Sequence, residues 1–403
     1  RRHVFLSASA VPVAICVYLL WSPPAGLSEQ ALFIYLLVLA ILTRNFITFF
    51  ETPSAALAPE LTRDYDQRST LQAFRSYFGW TGGNAMTVLM FFFLFPAFVT
   101  ADIPEGQFNR DAYGVYGAIA AVVIFLAIMI SALGTHGQIG RLTHPPARTG
   151  VTLLTIFREI FETLSNRSFL SLFIAMMFGF TASGLSNALS VYFSTYFWGF
   201  SSIQIALLTL LIFLSVFVGA AIAPAVTRRL GKKRGAVAIG AIMIFTAPMA
   251  IVLRLLGILS GGGEEATFWV VVALGQVNVA LIVCFQALVL SLMSDLVEQS
   301  ELSTGRRSEG LFFSANTFSQ KLVTGLGVML ATLVLTLAQF PVGVAPAEVP
   351  EETLMRLGWY YIPVSAALLT ASVLVIATYR IDRQTHEDNL RKLARSAPEH
   401  HSN

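Results

Sequence analysis

The chain has 403 residues and a formal net charge of +3, and 55% of its residues are hydrophobic whereas only 12% are charged. A soluble domain has about 25% charged residues, so this composition excludes an ordinary soluble globular protein and indicates a membrane protein. The two cysteines, Cys16 and Cys284, both lie in apolar stretches, so we expect neither a disulfide nor a metal site.

Apolar runs of about twenty residues recur along the whole chain, and this is the length that an α-helix needs to cross a bilayer. Their continuous apolar character differs from the alternating pattern of β-barrel strands. The sequence therefore predicts an all-α polytopic membrane protein. Ten transmembrane segments are expected, at roughly residues 4–22, 30–57, 74–100, 112–132, 168–197, 203–226, 237–258, 267–293, 310–339 and 357–380.

The charges between the segments predict the orientation. With the N-terminus in the cytoplasm, 21 of the 26 lysines and arginines lie on the cytoplasmic side, and only Arg110 and Arg356 face outward. The other three, Arg44, Arg254 and Lys321, lie within segments, and we expect Arg254 to extend toward the nearby membrane surface. The outer loops carry acidic residues instead, as the positive-inside rule requires. We therefore expect a multi-pass protein of the bacterial inner membrane with a cytoplasmic C-terminus.

The longest internal cytoplasmic connection, residues 131–167, contains VTLLTIFREIFETLSNRS, a pattern typical of a helix lying on the membrane surface. Four segments precede it and six follow. Because many transporters consist of two six-helix halves, we interpret the chain as helices 3–12 of twelve, with the first two missing. A complete ten-helix protein is the alternative. The predicted domains are a partial four-helix bundle (1–132), a linker with an amphipathic helix (133–167), a six-helix bundle (168–380) and a cytoplasmic tail (381–403).

A few ionisable side chains lie inside the predicted segments, where each needs a partner or a water-filled cavity. Arg44 and Glu51 are two turns apart on one face of the second segment, and Thr48 shares part of that face. Arg75 stands just inside the third segment. Lys321 lies about 16 Å along the ninth segment, near the middle of the bilayer. We expect Glu51 and Lys321 to line a substrate or ion pathway.

Neutral polar side chains in the later segments have two interpretations. Asn187 lies in the fifth segment, and Gln276, Asn278 and Gln286 lie in the eighth. Such side chains more often bridge neighbouring helices than bind a ligand. Both roles stay open, and Asn187 and Gln286 join the candidate substrate site.

Two charged stretches follow corresponding segments at the cytoplasmic mouth, APELTRDYDQRSTLQAFR in one half and SDLVEQSELSTGRRSEG in the other. Salt bridges between them would form a gate that breaks when this side opens. The alternative is a pair of solvated loops with local ion pairs, each worth about 0–1 kcal/mol. The residues of the predicted gate are Arg68, Asp295, Glu298, Glu301 and Arg307.

The stretches APELTRDYDQRSTLQAFRSYFGWTGG and SDLVEQSELSTGRRSEGLFFSANTFSQKLVTGLG resemble the glycoside–pentoside–hexuronide:cation symporter family of the major facilitator superfamily. The resemblance covers essentially the whole chain and implies two six-helix bundles around a central cavity. It implies that Glu51 hydrogen-bonds a sugar, that Arg75 lies beside that site, and that Lys321 lies close to the cation and sugar sites. Ala55 and Gln286 stand where family members that carry melibiose have tryptophan. The resemblance implies that the family's cation-binding acids lie on the second helix and a sugar-binding acid on the first, and we expect both helices to be absent from this chain.

We therefore expect a secondary active transporter that couples the symport of a sugar or glycoside to Na⁺ or H⁺ by alternating access. We expect no cofactor beyond that cation, and no nucleic-acid partner. A lysophospholipid transporter of the same fold is the alternative. A membrane enzyme is less favoured because the sequence has no HExxH or GxSxG motif, and a channel because it has no filter-like loop. The substrate, the coupling ion and the oligomeric state do not follow from the sequence.

Overall fold

The computed structural model describes residues 2–57, 78–79, 81–141, 167–304 and 309–378, without the side chains of residues 2–3, 55–56, 139–141, 167–169, 294–304 and 309–322. The regular elements of these ranges are helical. In chain order the α-helices are α1 (Arg2–Trp21), α2 (Glu29–Leu57), α3 (Thr81–Ala97), α4 (Arg110–Gly134), α5 (Arg167–Val191), α6 (Ser202–Leu230), α7 (Lys232–Thr246), α8 (Met249–Leu255), α9 (Glu265–Thr304), α10 (Glu309–Leu337) and α11 (Glu351–Ala377).

Eight helical stretches of the described residues are long and apolar enough to cross a membrane, and α7 and α8 together form one of them. Two shorter apolar stretches, Thr81–Ala97 and Val323–Leu337, lie where the two remaining predicted segments were expected. The predicted all-α, multi-pass membrane fold is confirmed. The predicted amphipathic helix between residues 142 and 166 and the tail 381–403 lie outside the described residues.

The chain divides into two compact units, which we call unit 1 (residues 1–149 and 202–210) and unit 2 (residues 150–201 and 211–403). In unit 1, Ala10 and Val13 of α1 pack with Ala120 and Ile128 of α4, and aromatic side chains of α2 such as Phe46 cover this core. Small side chains at the contact let the backbones of membrane helices approach closely. The domain boundaries given above stay a prediction.

Glycines bring the helices of unit 2 into backbone contact. A Cβ atom on Gly184 of α5 would lie 2.7 Å from the carbonyl oxygen of Thr324 on α10, and one on Gly219 of α6 would lie 2.4 Å from that of Ala280 on α9. Such contacts supply van der Waals energy, since burial away from lipid provides no hydrophobic driving force. The buried core of unit 2 is Leu172, Ala175, Met176, Ala223, Ala236, Ile239, Met243, Cys284, Leu288, Val289, Leu292, Met293 and Ile376.

A single residue, Gly231, separates α6 from α7, where the sequence predicted a longer basic loop. Its φ of 77° lies in the left-handed region, which glycine adopts without steric cost. The Gly231 N–H donates to the Thr227 carbonyl, and the Gly231 carbonyl accepts from the Gly235 N–H, each at 2.9 Å. The basic residues therefore extend both helices, and Arg228 and Arg229 lie in the last turn of α6, where the helix dipole favours cations.

Two spans contain a π-helical turn near one end. The first is Leu89–Leu94 within α3, and the second, Tyr192–Phe197, continues α5. In the second, the Trp198 N–H donates to the Phe193 carbonyl five residues back, at 2.8 Å. Such turns hold one residue more than an α-helical turn and often lie at functional sites.

The stretch after residue 293 is helical as far as Thr304. Its sequence, SDLVEQSELST, has no glycine or proline and is rich in leucine, glutamate and glutamine, which favour helices. The acidic gate candidates Asp295, Glu298 and Glu301 therefore lie on a continuation of α9.

We expect Gly327→Ala to destabilise unit 2, because its Cβ would lie 2.5 Å from the Thr181 carbonyl oxygen on α5. Overpacking of this kind costs about 1–3 kcal/mol. Gly325→Ala is the matched control, since nothing lies within 4 Å of its Cβ. Thermal unfolding of the detergent-purified protein should show a lower Tm for Gly327→Ala only. Equal Tm values for both variants would contradict the close contact.

Candidate functional site

A stripe of polar side chains runs along α2. Thr48 follows Arg44 by four residues and Asn45 by three, and Glu51 follows Thr48 by three, so the four side chains share one side of the helix. The first three are exposed, and Glu51 is half-buried. The opposite side of α2 packs into the core of unit 1 through Phe46, Ile47 and Phe50.

Two polar side chains of the stripe form hydrogen bonds within their own helix. The Thr48 hydroxyl donates to the Arg44 carbonyl at 2.8 Å, and the Asn45 amide donates to the Ile41 carbonyl at 2.9 Å, both within α2. Only 6% of the most apolar stretch of the α2 span is buried, against 44% of the corresponding stretch of the α5 span. Because charged groups inside a membrane face a water-filled cavity or a polar partner rather than lipid, this stripe is a candidate binding surface.

The helix does not end at the proline that follows the stripe. α2 continues through Pro53 to Leu57. Since Pro53 has no N–H, it cannot donate the helical hydrogen bond to the Phe49 carbonyl one turn earlier. The half-buried Glu51 side chain therefore lies in a turn of α2 that lacks one helical hydrogen bond.

Unit 2 carries polar groups on α6 and α9. The Ser215 hydroxyl on α6 donates to Gln276 Oε1 on α9 at 2.6 Å, so Gln276 bridges helices as the structural interpretation proposed. Two residues further along α9, Asn278 Oδ1 is buried and has no hydrogen-bond partner among the described residues. Gln286 is half-buried on α9, and Asn187 is exposed on α5. Sequence reasoning missed Ser215, because one serine in an apolar helix carries no pattern.

The other predicted site residues are described in part or not at all. Lys321 lies on α10, and Asp295, Glu298 and Glu301 lie on α9, but their side chains are among those not described. Arg68, Arg75 and Arg307 lie outside the described residues. Glu51 and Thr48 belong to unit 1, whereas Asn187, Gln286 and Lys321 belong to unit 2. The assignment of all these residues to a substrate site or gate stays a prediction.

The expectation that Arg254 extends toward the membrane surface is wrong. Its side chain is only 3% exposed, and its Nη2 donates to Glu351 Oε1 at 2.8 Å. The guanidinium carbon lies 4.2 Å from the centre of the Phe197 ring and 5.7 Å from that of Trp198. Aromatic faces and a carboxylate replace the solvent that the sequence argument assumed.

The two arginines of the predicted outer loops are also engaged. Arg110 Nη2 donates to the Pro23 carbonyl at 2.7 Å and so ties α4 to the connection between α1 and α2. Arg356 Nη1 donates to Gln339 Oε1 at 2.8 Å and its Nη2 pairs with Glu352. Gln339 has a φ of 55°, the only positive value outside glycine among the described residues. The arginines on this side therefore fix the ends of helices.

The chain belongs to the MFS/sugar transport protein family, whose model matches residues 1–383. It is therefore a membrane transporter. The predicted membership of a major facilitator family of sugar carriers is confirmed.

Several relatives resemble the chain over most of its length. An uncharacterized symporter of Synechocystis is 24% identical over 96% of this chain and 82% of its own length. The lactose permease of Lactobacillus delbrueckii subsp. bulgaricus is 22% identical over 89% of this chain, which spans 55% of that protein. A putative 2,3-dihydroxypropane-1-sulfonate exporter of Escherichia coli K12 is 27% identical over 83% of this chain and 67% of its own length.

A solved structure supports the fold alone. A bacterial homologue of the iron transporter ferroportin, in its inward-facing state, has a TM-score of 0.55 and 13% sequence identity, and the match covers 94% of this chain and 82% of that one. The predicted major facilitator fold is thereby confirmed.

We expect opposite effects from two substitutions on α9. Gln276→Leu should lower the Tm, because it leaves the Ser215 hydroxyl without its acceptor, and interhelical hydrogen bonds in membranes contribute about 0.6 kcal/mol on average. Asn278→Leu should leave the Tm unchanged or raise it, since a buried oxygen without a partner is removed. Thermal unfolding of the purified variants measures both. A fall in Tm for Asn278→Leu would reveal a structural partner of that side chain.

Proposed function

We propose that the protein is a secondary active transporter that carries a sugar or glycoside together with a cation. The observation that supports this most directly is the polar stripe on α2, which places a carboxylate, a hydroxyl, an amide and a guanidinium on one exposed side of a membrane helix. Sugars offer many hydroxyl groups, and each can donate to a carboxylate or accept from an amide or guanidinium.

The relatives support the same proposal. Two of them are named as symporters, of Synechocystis and of Bacillus subtilis, and a third as a lactose permease. A fourth is named as a putative exporter of 2,3-dihydroxypropane-1-sulfonate, which is a small molecule with neighbouring hydroxyl groups. A polyhydroxylated substrate is common to the relatives whose names state one.

In this proposal Glu51 accepts hydrogen bonds from the sugar, with Thr48 on the same side of α2. Arg75, Asn187 and Gln286 complete the substrate site. Lys321 is the counter-charge to acids around the coupling ion, which is Na⁺ or H⁺. The cytoplasmic gate is formed by Arg68, Asp295, Glu298, Glu301 and Arg307.

The rest of the proposal concerns location and chemistry. The protein lies in the bacterial inner membrane with its C-terminus in the cytoplasm, as the positive-inside rule predicts. It acts by alternating access and not as an enzyme, and it uses no cofactor besides the coupling cation.

The first experiment is a thermal-stability screen of the detergent-purified protein against sugars, glycosides, uronic acids, 2,3-dihydroxypropane-1-sulfonate and lysophospholipids, each with and without Na⁺. A ligand at a hundred times its dissociation constant stabilises the folded state by about 2.7 kcal/mol, which shifts the Tm measurably. A sugar-dependent rise in Tm that grows with Na⁺ is the expected result.

Each other outcome selects a different function. A rise in Tm with a sugar that responds to pH and not to Na⁺ would name H⁺ as the coupling ion. A rise with lysophospholipid alone would favour the amphiphile transporter of the same fold. A rise with the sulfonate alone would favour an exporter of small hydroxylated anions.

We expect Glu51→Gln to weaken binding of the sugar identified in the screen by about ten-fold or more, because hydrogen bonds to a charged acceptor are roughly twice as strong as neutral ones. Glu29→Gln is the matched control, since Glu29 is an exposed carboxylate on the first turn of the same helix. Isothermal titration of both purified variants measures the affinity. Equal affinities for Glu51→Gln and the control would remove Glu51 from the site.

A further inference from the structure

Arg254 lies at the centre of a compact group of residues at one end of unit 2. We call this group the Arg254 cluster, and it consists of Phe197, Trp198, Arg254, Gly261 and Glu351. The guanidinium lies against the Phe197 ring, with 4.2 Å between its central carbon and the ring centre. On the Gly261 side, a Cβ atom on that glycine would lie 2.5 Å from Nη2 and 2.7 Å from the central carbon. Only a residue without a side chain fits there.

The cluster joins four parts of unit 2 that are far apart in sequence. Arg254 belongs to α8, Glu351 to the first turn of α11, Phe197 to the π-helical turn that continues α5, and Gly261 to the connection before α9. The Gly263 N–H also donates to the Trp198 carbonyl at 2.8 Å, which fixes that connection to the end of α5. The cluster thus holds these ends as one block.

Arg254 is buried although its helix ends near the predicted membrane surface. Arginine at a helix end ordinarily extends to water. Here Nε and Nη1 are buried and have no hydrogen-bond partner among the described residues, and the one carboxylate that Nη2 meets is 63% exposed. Burial of a guanidinium with unpaired N–H groups costs folding free energy, and a more exposed position lies one turn away. The guanidinium nevertheless fixes the position of α8 against the rings of Phe197 and Trp198 and the Glu351 carboxylate.

The span that contains Arg254 is interrupted just before α8. α7 ends at Thr246 and α8 begins at Met249, with Ala247 and Pro248 between them. Pro248 has no N–H to donate to the Ile244 carbonyl, so the helical hydrogen-bond ladder is broken there. The Thr246 hydroxyl is buried and has no partner among the described residues, whereas the hydroxyls of Thr181, Thr209 and Thr227 each donate to the carbonyl four residues back.

We propose that Arg254 is a positioning residue of the transport cycle. It clamps α8 to α11 and to the end of α5, and the break at Ala247–Pro248 is the joint between this block and α7. None of the cluster's residues is among those assigned to the substrate site, so the inference goes beyond the proposed function and does not depend on which solute is carried.

Hydrogen–deuterium exchange of the detergent-purified full chain tests the clamp without any substrate. In Arg254→Gln the stacking and the ion pair are lost, while the exposed Glu351 is hydrated. Amides of residues 249–262 should then exchange about ten-fold faster or more, and those of residues 232–243 should be unchanged. Arg356→Gln is the matched control, because it removes the same charge from a 40% exposed arginine of α11.

Unchanged exchange over residues 249–262 in Arg254→Gln, or an equal increase in Arg356→Gln, would overturn the clamp. If Arg254→Gln does not fold, Gly261→Ala takes its place, since its Cβ displaces the guanidinium without removing a charge. Faster exchange over the same residues is again expected, and unchanged exchange again overturns the proposal. Arg254→Lys keeps the charge but not the planar stack, so it should give an intermediate rate.

Pro248→Ala tests the joint. Restoring the helical hydrogen bond should raise the Tm and slow amide exchange over residues 244–252. Uptake per folded transporter, measured in liposomes with the ligand found in the stability screen, should fall severalfold for both Pro248→Ala and Arg254→Gln, with the half-saturation concentration unchanged. A purely structural role would leave uptake per folded molecule unaltered in both variants, and that result would overturn the proposal that Ala247–Pro248 is a joint.

Discussion

The bilayer interior offers no hydrogen-bond partner to the backbone, and this constraint determines most of what the chain does. The described spans are helical because a helix pairs its own peptide groups. Departures from regular helix inside a span are then costly, and the described spans contain two π-helical turns and the break at Ala247–Pro248. Between α6 and α7, the backbone groups of Gly231 find a donor and an acceptor in the adjoining helices.

A second constraint follows from the direction of the helices. Several acidic residues of the predicted outer loops lie in the first turns of α2, α4, α9 and α11, among them Glu29, Asp111, Glu265 and Glu351. A carboxylate there stabilises the positive end of the helix dipole. These residues therefore stabilise the first turns of their helices. Glu351 has a second role through its ion pair with Arg254.

Sequence reasoning predicted the fold well because length and apolarity alone define a membrane span. The limits of α1, α2 and α4 agree with the predicted segments within about two residues. It failed where the outcome depends on distant partners. Arg254 is buried because Phe197, Gly261 and Glu351 meet it, and Glu351 is 97 residues away. No local pattern contains that information. The length of α9 beyond residue 293 was underestimated because polar residues end an apolar run without ending a helix.

The candidate site was predictable in a different sense. The spacing of Arg44, Thr48 and Glu51 gave the polar side of α2 from sequence, and the structure adds that this side lies exposed within unit 1. The sequence could not distinguish Gln276 from Asn278, because the two amide side chains have the same chemistry. They differ in their neighbours: Gln276 accepts from Ser215, whereas Asn278 Oδ1 has no partner among the described residues.

The π-helical turns have a consequence for how this chain is aligned with its relatives. Each adds one residue to its helix, so the side chains before and after it are rotated by about 100° relative to an uninterrupted α-helix. A relative that lacks the turn would be one residue shorter inside the span while both of its faces stay in place. A single-residue gap within the span of α3 or α5 is therefore physically sensible, and alignments that forbid gaps inside membrane helices would shift the residues on one side of the turn out of register.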